Sequence, residues 1–271
     1  MTTERPPRES LADLLQVEAQ GRGRYRAVPE SFWGGYACGD LLAKMALAVG
    51  REANAAPTSL HASFVGQAIP DESATIHCAD ALGTQRIVRM EQGGKTICEA
   101  LFRFDPRAGA LAYQTPAPTN GIVAPEALPS EAETGAQEGW AMYAVGPVET
   151  RRVSRHGALA ANEAPEWTGW LAPRAPIPTD RLTEVAALVF LAEYRSHWAL
   201  ERRLGEAFSS TKLTLDDFAL WIHARLRWDD YFYVATRSDV AVEGRALSRR
   251  EIFTRRGVLV ATAAWQLSAS R

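Results

Sequence analysis

The sequence predicts an α+β protein made of two related halves in tandem, each a buried helix wrapped by an antiparallel sheet. Three observations lead there. Residues 36–49 and 185–192 are nearly all apolar or small, too apolar on every side for surface helices. Each is followed by short strand-like segments that close on a glycine-containing hairpin. The order is the same in both halves, a repeat carried by pattern rather than by residue identity.

The elements follow in order. Ser10 and Asp13 mark the capped start of a short helix that Gly21 and Gly23 stop. Residues 29–35 read as a turn region. The first buried helix covers 36–49, interrupted only by Asp40 and Lys44, and Gly50 ends it. Strands are predicted over 59–65, 74–79, 86–91 and 96–104, with Gly93 and Gly94 turning the last hairpin. Residues 105–138 are rich in Pro, Ala, Glu and Thr without a period and read as a linker. The expected organisation is an N-terminal half over 1–107, a linker over 108–138 and a C-terminal half over 139–271.

In the second half, strand-like segments at 140–152 and 166–171 precede a helix capped by Thr179 or Asp180. Its run of eight apolar residues, 185–192, is followed by Glu193 and Tyr194. Strands return after Leu204 and Gly205, over 213–225, 231–236, 246–253 and 258–267. The last two are joined through Arg255, Arg256 and Gly257. Superposing Gly94 on Gly257 places Phe102 on Trp265.

Composition narrows the function classes. The 271 residues are 46% hydrophobic and 23% charged with a formal net charge of -2, an ordinary globular balance. That charge offers no drive toward nucleic acid or an anionic membrane, so neither partner is expected. No apolar run approaches the length of a membrane span. The polar start, residues 1–9, reads as a tail rather than a secretory signal. Cys38, Cys78 and Cys98 are three widely spaced cysteines, expected as buried, reduced thiols of a cytoplasmic protein.

Several catalytic motifs are missing. There is no G-x-S-x-G elbow, no P-loop and no dinucleotide loop after Gly21 and Gly23. His61, His77, His156, His197 and His223 lack metal-ligand spacing, so neither metal nor cofactor is expected. Chemistry would rest on water, carboxylates, hydroxyls, amides and backbone dipoles.

Five segments together resemble the acyl-CoA thioesterase II family, the double-hotdog thioesterases. They are Phe32 to Gly35 before an apolar helix; the His61 strand at 59–64; residues 173–194, with Pro178 ahead of the helix and 188–194 at its end; 213–223 with Trp221 and His223; and 253–261. The resemblance spans most of the chain except tail and linker. It implies two fused hotdogs, a double hotdog, and hydrolysis of acyl-CoA to free acid and CoA by a carboxylate-activated water. An Asp, a Ser or Thr, and a Gln hold that water in the family. Transferred here, the Asp falls on Glu193. The Thr falls on Thr214 if one extra residue, such as a bulge, is allowed, and on Leu215 if not. The Gln falls one position from Gln266, on Trp265, without a gap. The catalytic set expected is Glu193, Thr214 and Gln266. Gly34 and Gly35, with free N–H groups at a helix start, Asp40 and His61 are expected to contact substrate.

Each residue also has a bland reading. Glu193 would pair with His197 on a helix surface, Asp40 with Lys44, and His61 would be structural. The arginines Arg86, Arg89, Arg249, Arg250, Arg255 and Arg256 meet CoA phosphates or form solvated faces. Of the two helix carboxylates, Glu193 is preferred as base, because Lys44 should hold the pKa of Asp40 low. The rival reading is a double hotdog that binds an acyl thioester without turnover. A hotdog hydratase ranks last, since no D-x4-H spacing occurs. A homo-oligomer, dimer or larger, is expected by analogy.

Overall fold

In the computed structural model the described residues are 10–32, 35–36, 38–105, 113–114, 122–138, 146–153, 167–205 and 211–270. Ser10 caps α1 (Leu11–Leu14), its hydroxyl accepting from the Asp13 N–H. The chain then forms β1 (Glu18–Gly21) and β2 (Arg24–Ala27), so the two glycines expected to stop a helix shape a hairpin instead. A small separate pair, β3 (Ser31–Phe32) and β4 (Gly35–Tyr36), leads into α2 (Cys38–Ala53). Then come β5 (Ser59–Phe64), β6 (Ala74–Cys78), β7 (Gln85–Gln92) and β8 (Lys95–Arg103). Gly93 and Gly94 turn the last hairpin at φ 57° and 75°, a left-handed pair that glycine adopts without steric cost.

The segment expected as a periodless linker carries a 3-10 turn at Pro125–Ala127 and α3 (Glu131–Glu138). Ser130 and Glu133 form a capping box at the start of α3, each bonding the other's backbone N–H. The second half holds β9 (Val148–Arg152), β10 (Trp167–Pro173), α4 (Arg181–Glu193), α5 (Trp198–Leu204), β11 (Lys212–Ile222), β12 (Phe232–Val242), β13 (Arg245–Thr254) and β14 (Leu259–Ser270). Asp180 is the cap of α4, accepting from the Thr183 N–H at 2.9 Å.

Twelve of these strands form one sheet in the order β1-β2-β6-β7-β8-β5-β11-β14-β13-β12-β10-β9. The order reads the same from either edge once each first-half strand is exchanged for its second-half counterpart. The halves meet at β5 and β11, with His61 opposite Ala219, Leu60 opposite Leu220 and Ala62 opposite Phe218. Leu60 also faces Phe102, and Phe218 faces Trp265. A two-fold rotation through the His61–Ala219 pair therefore carries Phe102 onto Trp265. This is a double hotdog.

Both long helices lie inside the sheet. In α2 every residue from 39 to 50 is buried, and in α4 every residue from 184 to 193. Each fully buried Leu or Val contributes about 2 kcal/mol of transfer free energy, which explains why both helices are so apolar. They run antiparallel, the start of α2 against the end of α4. Gly50 does not end α2. It lies within the helix, where a Cβ would come within 2.2 Å of Leu182 Cδ1, so the glycine lets the helices approach. Of the cysteines only Cys98 is buried; Cys38 and Cys78 are half-buried, and all three are free thiols. Among the described residues no helix is long and apolar enough to cross a membrane.

Candidate functional site

Glu193 is the last residue of α4 and 8% exposed. Its Oε2 accepts from the Gly39 N–H at 2.9 Å, and its Oε1 from the Ser196 hydroxyl at 2.8 Å. Gly39 lies in the first turn of α2, where backbone N–H groups have no partner within the helix. One carboxylate thus joins the negative end of one helix to the positive end of the other. Only glycine fits at 39, since a Cβ would stand 2.8 Å from the Phe190 carbonyl and 3.1 Å from Glu193 Oε2. The surface pairing of Glu193 with His197 is not what forms.

Burial pushes the Glu193 carboxyl above its ordinary pKa, against the hydrogen bonds from Ser196 and Gly39 and the pull of Arg250. Burial likewise raises the Cys38 thiol well above its usual value, with Glu193 and Cys98 adding to it. His197 is held down to about 4 by burial and by Arg195 and Arg250.

The carbonyls at the end of α4 are fully accounted for. Phe190 O accepts from the Tyr194 N–H, and Glu193 O from the Ser196 N–H. Leu191 O and Ala192 O accept from Arg250, which also reaches Tyr194 O, Arg195 O and the Thr236 hydroxyl. Arg250 is 1% exposed and lies 5.5 Å from the Trp265 ring centroid. It is neither a solvated arginine nor placed for a CoA phosphate, contrary to both sequence readings.

The other expected residues lie elsewhere. Asp40, next to Gly39, pairs with Lys44 at 2.7 Å and accepts from the Glu30 N–H at 3.0 Å. That pair is buried on both sides rather than on a helix surface, and burial outweighs Lys44, so the Asp40 pKa rises instead of staying low. Nor is Asp40 the first-half counterpart of Glu193. Gly39 and Leu182 are each the second residue of their helix, and Gly39 lies beside Glu193 as Leu182 lies beside Gly50. The rotation that exchanges the halves therefore places Gly50 where Glu193 stands, and Leu182 fills the space a carboxylate would need. Among the described residues the helix pair therefore holds one carboxylate site of this kind.

Thr214 and Gln266 are not brought to Glu193. A bulge does occur between Leu215 and Asp217, as the alignment required, but Leu215 is the residue turned inward. On β14, residues 261, 263, 265 and 267 are buried against the helices, and Gln266 takes the outer face. There Asp216 Oδ2 accepts from Gln266 Nε2 at 3.2 Å and from the Ser268 hydroxyl. The inner positions belong to Leu215 and to Trp265, which stacks on Phe218 with centroids 6.2 Å apart. His61 is also on the outer face, edge-on to Trp221 at 5.3 Å, and so lies across the sheet from Glu193. Gly35 sits in β4, opposite Phe32, three residues before α2; Gly34 lies outside the described residues.

Sequence reasoning missed Gly39 and Ser196 and misassigned Arg250. Ser196 carried a signal, a hydroxyl three residues after a carboxylate at a helix end. Arg250 carried none, because nothing local marks a buried arginine. Among the described residues no group of three His, Cys, Asp or Glu side chains could hold a metal ion. A cavity of about 1000 Å³ lies between residues 172–179 and 225–231. It borders Glu184, at the opposite end of α4 from Glu193.

Residues 125–268, just over half of the chain, match the family model described as acyl-CoA thioesterase C-terminal domain. A search of curated proteins returned no match. Among solved structures, a tesB protein of Mycobacterium avium subsp. paratuberculosis is similar at TM-score 0.79 and 20% identity, covering 97% of this chain and 100% of that one. The acyl-CoA thioesterase II TesB2 of Mycobacterium marinum is similar at TM-score 0.77 and 20% identity, with 96% and 98% covered. A hot dog fold protein of unknown function from Alicyclobacillus acidocaldarius is similar at TM-score 0.71 and 15% identity, with 96% and 97% covered. At these identities the structural likeness speaks for the fold alone.

Proposed function

We propose that this chain, which belongs to the acyl-CoA thioesterase family of its C-terminal domain match, hydrolyses an acyl-CoA to free acid and CoA with a water held at Glu193. The enzyme is a thioester hydrolase. One observation carries the residue assignment: a buried carboxylate at the end of α4, fixed by Gly39 and Ser196 and facing the positive start of α2. Glu193 takes a proton from water as its oxygen attacks the thioester carbonyl carbon. The oxyanion that forms gains from the N-terminal end of α2. When the C–S bond breaks, the CoA thiolate leaves and recovers the proton from Glu193. General-base catalysis of this kind contributes about 10²- to 10⁴-fold.

Acyl-CoA is thus the substrate, from fatty acid metabolism, and no cofactor enters the scheme. The three free thiols suit a reducing cytoplasm. Ile87, Trp221 and Leu247, exposed apolar side chains on the outer face of the sheet, suit a dimer or larger assembly.

A second reading rests on Leu215 and Trp265. Both are apolar where the family pattern puts the Thr and Gln that share the water, which favours a protein that holds an acyl thioester without turnover. Thiol release from short, medium and aromatic acyl-CoAs separates the two. Turnover supports the hydrolase. Binding measured by calorimetry with no thiol released supports the second reading.

A further inference from the structure

We propose that Arg250 is a positioning residue for Glu193: it fixes the turn that carries the carboxylate and places a buried positive charge behind it. The proposal rests on the reading that Glu193 holds the water.

The turn after α4 is one that a chain does not adopt unaided. Arg195 sits at φ 53°, the left-handed position after the helix cap where glycine is the usual occupant. A side chain there is strained and persists only where the surroundings hold it. The guanidinium of Arg250 is what holds it from inside. It donates to Tyr194 O at 2.7 Å and Arg195 O at 3.5 Å, on either side of the strained bond, and to Leu191 O and Ala192 O in the last helical turn. Glu193 lies in the middle of that set. The backbone to which the carboxylate is attached is therefore clamped on both sides by one side chain from β13.

Arg250 is itself oriented. Its Nε donates to the Thr236 hydroxyl at 2.9 Å, and Thr236 is fully buried on the neighbouring β12. Trp265 covers its face at 5.5 Å. Its counterpart in the first half, read from the paired registers of β7 with β8 and β13 with β14, is Val88. The first-half counterpart of Glu193 is Gly50. Cation and carboxylate thus occur together in one half and are missing together from the other, although nothing in the fold requires an arginine on that strand.

The charges around Glu193 can be named from every side. On α2 stand the Cys38 thiol and the Asp40–Lys44 pair, which neutralises itself. On the turn stand His197 and Arg195, the latter drawn to Glu131 at 3.5 Å and to the Trp198 ring at 4.1 Å. On β14 stands Trp265, uncharged and set against Arg250. Among the described residues that leaves Arg250 as the cation whose field bears on Glu193, and the one hydrogen bond accepted by each carboxylate oxygen leaves each a further lone pair for water.

The test is the pH profile of kcat/KM for wild type, Arg250→Lys, Arg250→Met and Thr236→Val, each checked for fold by circular dichroism. Removing the charge should move the acidic limb of Arg250→Met upward by about one pH unit and cut kcat/KM about tenfold on the acid side of the limb, with recovery at higher pH. Arg250→Lys should restore most of the limb position. Thr236→Val, which keeps shape and loses only the orienting hydroxyl, should shift the limb the same way by less. Should Arg250→Met not fold, the Lys and Val variants decide. Limbs that stay in place in every folded variant overturn the proposal and leave Arg250 a structural cap. An infrared titration of the Glu193 carboxylate band, taken as wild type minus Glu193→Gln, reads the same midpoint without turnover. Full activity in Glu193→Gln overturns the reading of Glu193, and this proposal falls with it. An inactive Glu193→Gln beside unmoved limbs overturns the positioning role alone.

Discussion

The Gly39 N–H donates to Glu193 Oε2 at 2.9 Å across 154 residues of sequence. This bond joins the start of the first-half helix to the end of the second-half helix, so neither half alone contains the site. Gly39→Ala should break it. Its Cβ would stand 2.8 Å from the backbone oxygen of Phe190, which cannot swing aside as a side chain could. We expect a loss of about 1–3 kcal/mol in stability from overpacking. Turnover should fall further than stability alone explains, about tenfold or more, as the carboxylate is displaced. Urea denaturation and kcat on one preparation check both.

The other end of the helix pair predicts a reversal of sign. Gly→Ala inside a helix ordinarily stabilises by about 1 kcal/mol. At Gly50 the new methyl would meet Leu182 Cδ1 at 2.2 Å and Ala55 O at 3.0 Å. Gly50→Ala should therefore destabilise, by about 1–2 kcal/mol. Leu182→Ala should relieve it, so the double variant should lose less than the two single losses added, with a coupling of about 1 kcal/mol. Thermal melts of the four proteins give the cycle.

Thr214 and Gln266, chosen from the family pattern, face away from Glu193. Thr214→Val and Gln266→Ala should leave kcat within about twofold of wild type and change stability by no more than about 1 kcal/mol, as ordinary changes on an outer sheet face do. A hundredfold loss in either would mean that the outer cluster around Asp216 does the chemistry.

His197 makes the fold acid-sensitive. Its folded pKa is lowered from 6.5 to about 4, so as pH falls through this window the unfolded chain takes up a proton that the folded one refuses. Stability present above pH 6.5 is lost progressively down to pH 4, by at most about 3 kcal/mol and less because the ring is partly exposed. Buried Glu193 and Asp40 act in the opposite sense. Their raised pKa values favour the folded state as pH falls toward the unfolded carboxyl value. The difference between wild type and His197→Gln isolates the histidine. Between pH 7 and pH 4.5 the wild type should lose about 2 kcal/mol more than the variant in urea titrations.

The parts legible in the sequence were those fixed by local chemistry. Gly93 and Gly94 announced a hairpin, Asp180 a cap, and residues 185–192 a helix buried on all sides. Glu193 was visible as a carboxylate closing that run. What stayed hidden depends on distant partners. Gly50 has the look of a helix stop and is a contact point between helices. On β13 the inward positions include Ser248 and Arg250 while Leu247 faces out, so hydrophobic alternation there points the wrong way. α5 went unread because Trp198, Ala199 and Leu200 are buried by β10 and β12, which no local pattern reports. Register decided the rest. One residue of bulge at Asp216 and one step on β14 exchange an inward Thr and Gln for Leu215 and Trp265.

The central claim is that Glu193 supplies the base for thioester hydrolysis. Free thiol release from a panel of acyl-CoAs, followed with wild type and Glu193→Gln side by side, tests it most directly. The substitution keeps the shape and the Gly39 and Ser196 contacts available but removes the proton acceptor, so turnover should drop by about 10²-fold or more with the melting temperature nearly unchanged. Equal rates for the two proteins, or a folded wild type inert toward every thioester, would contradict the account.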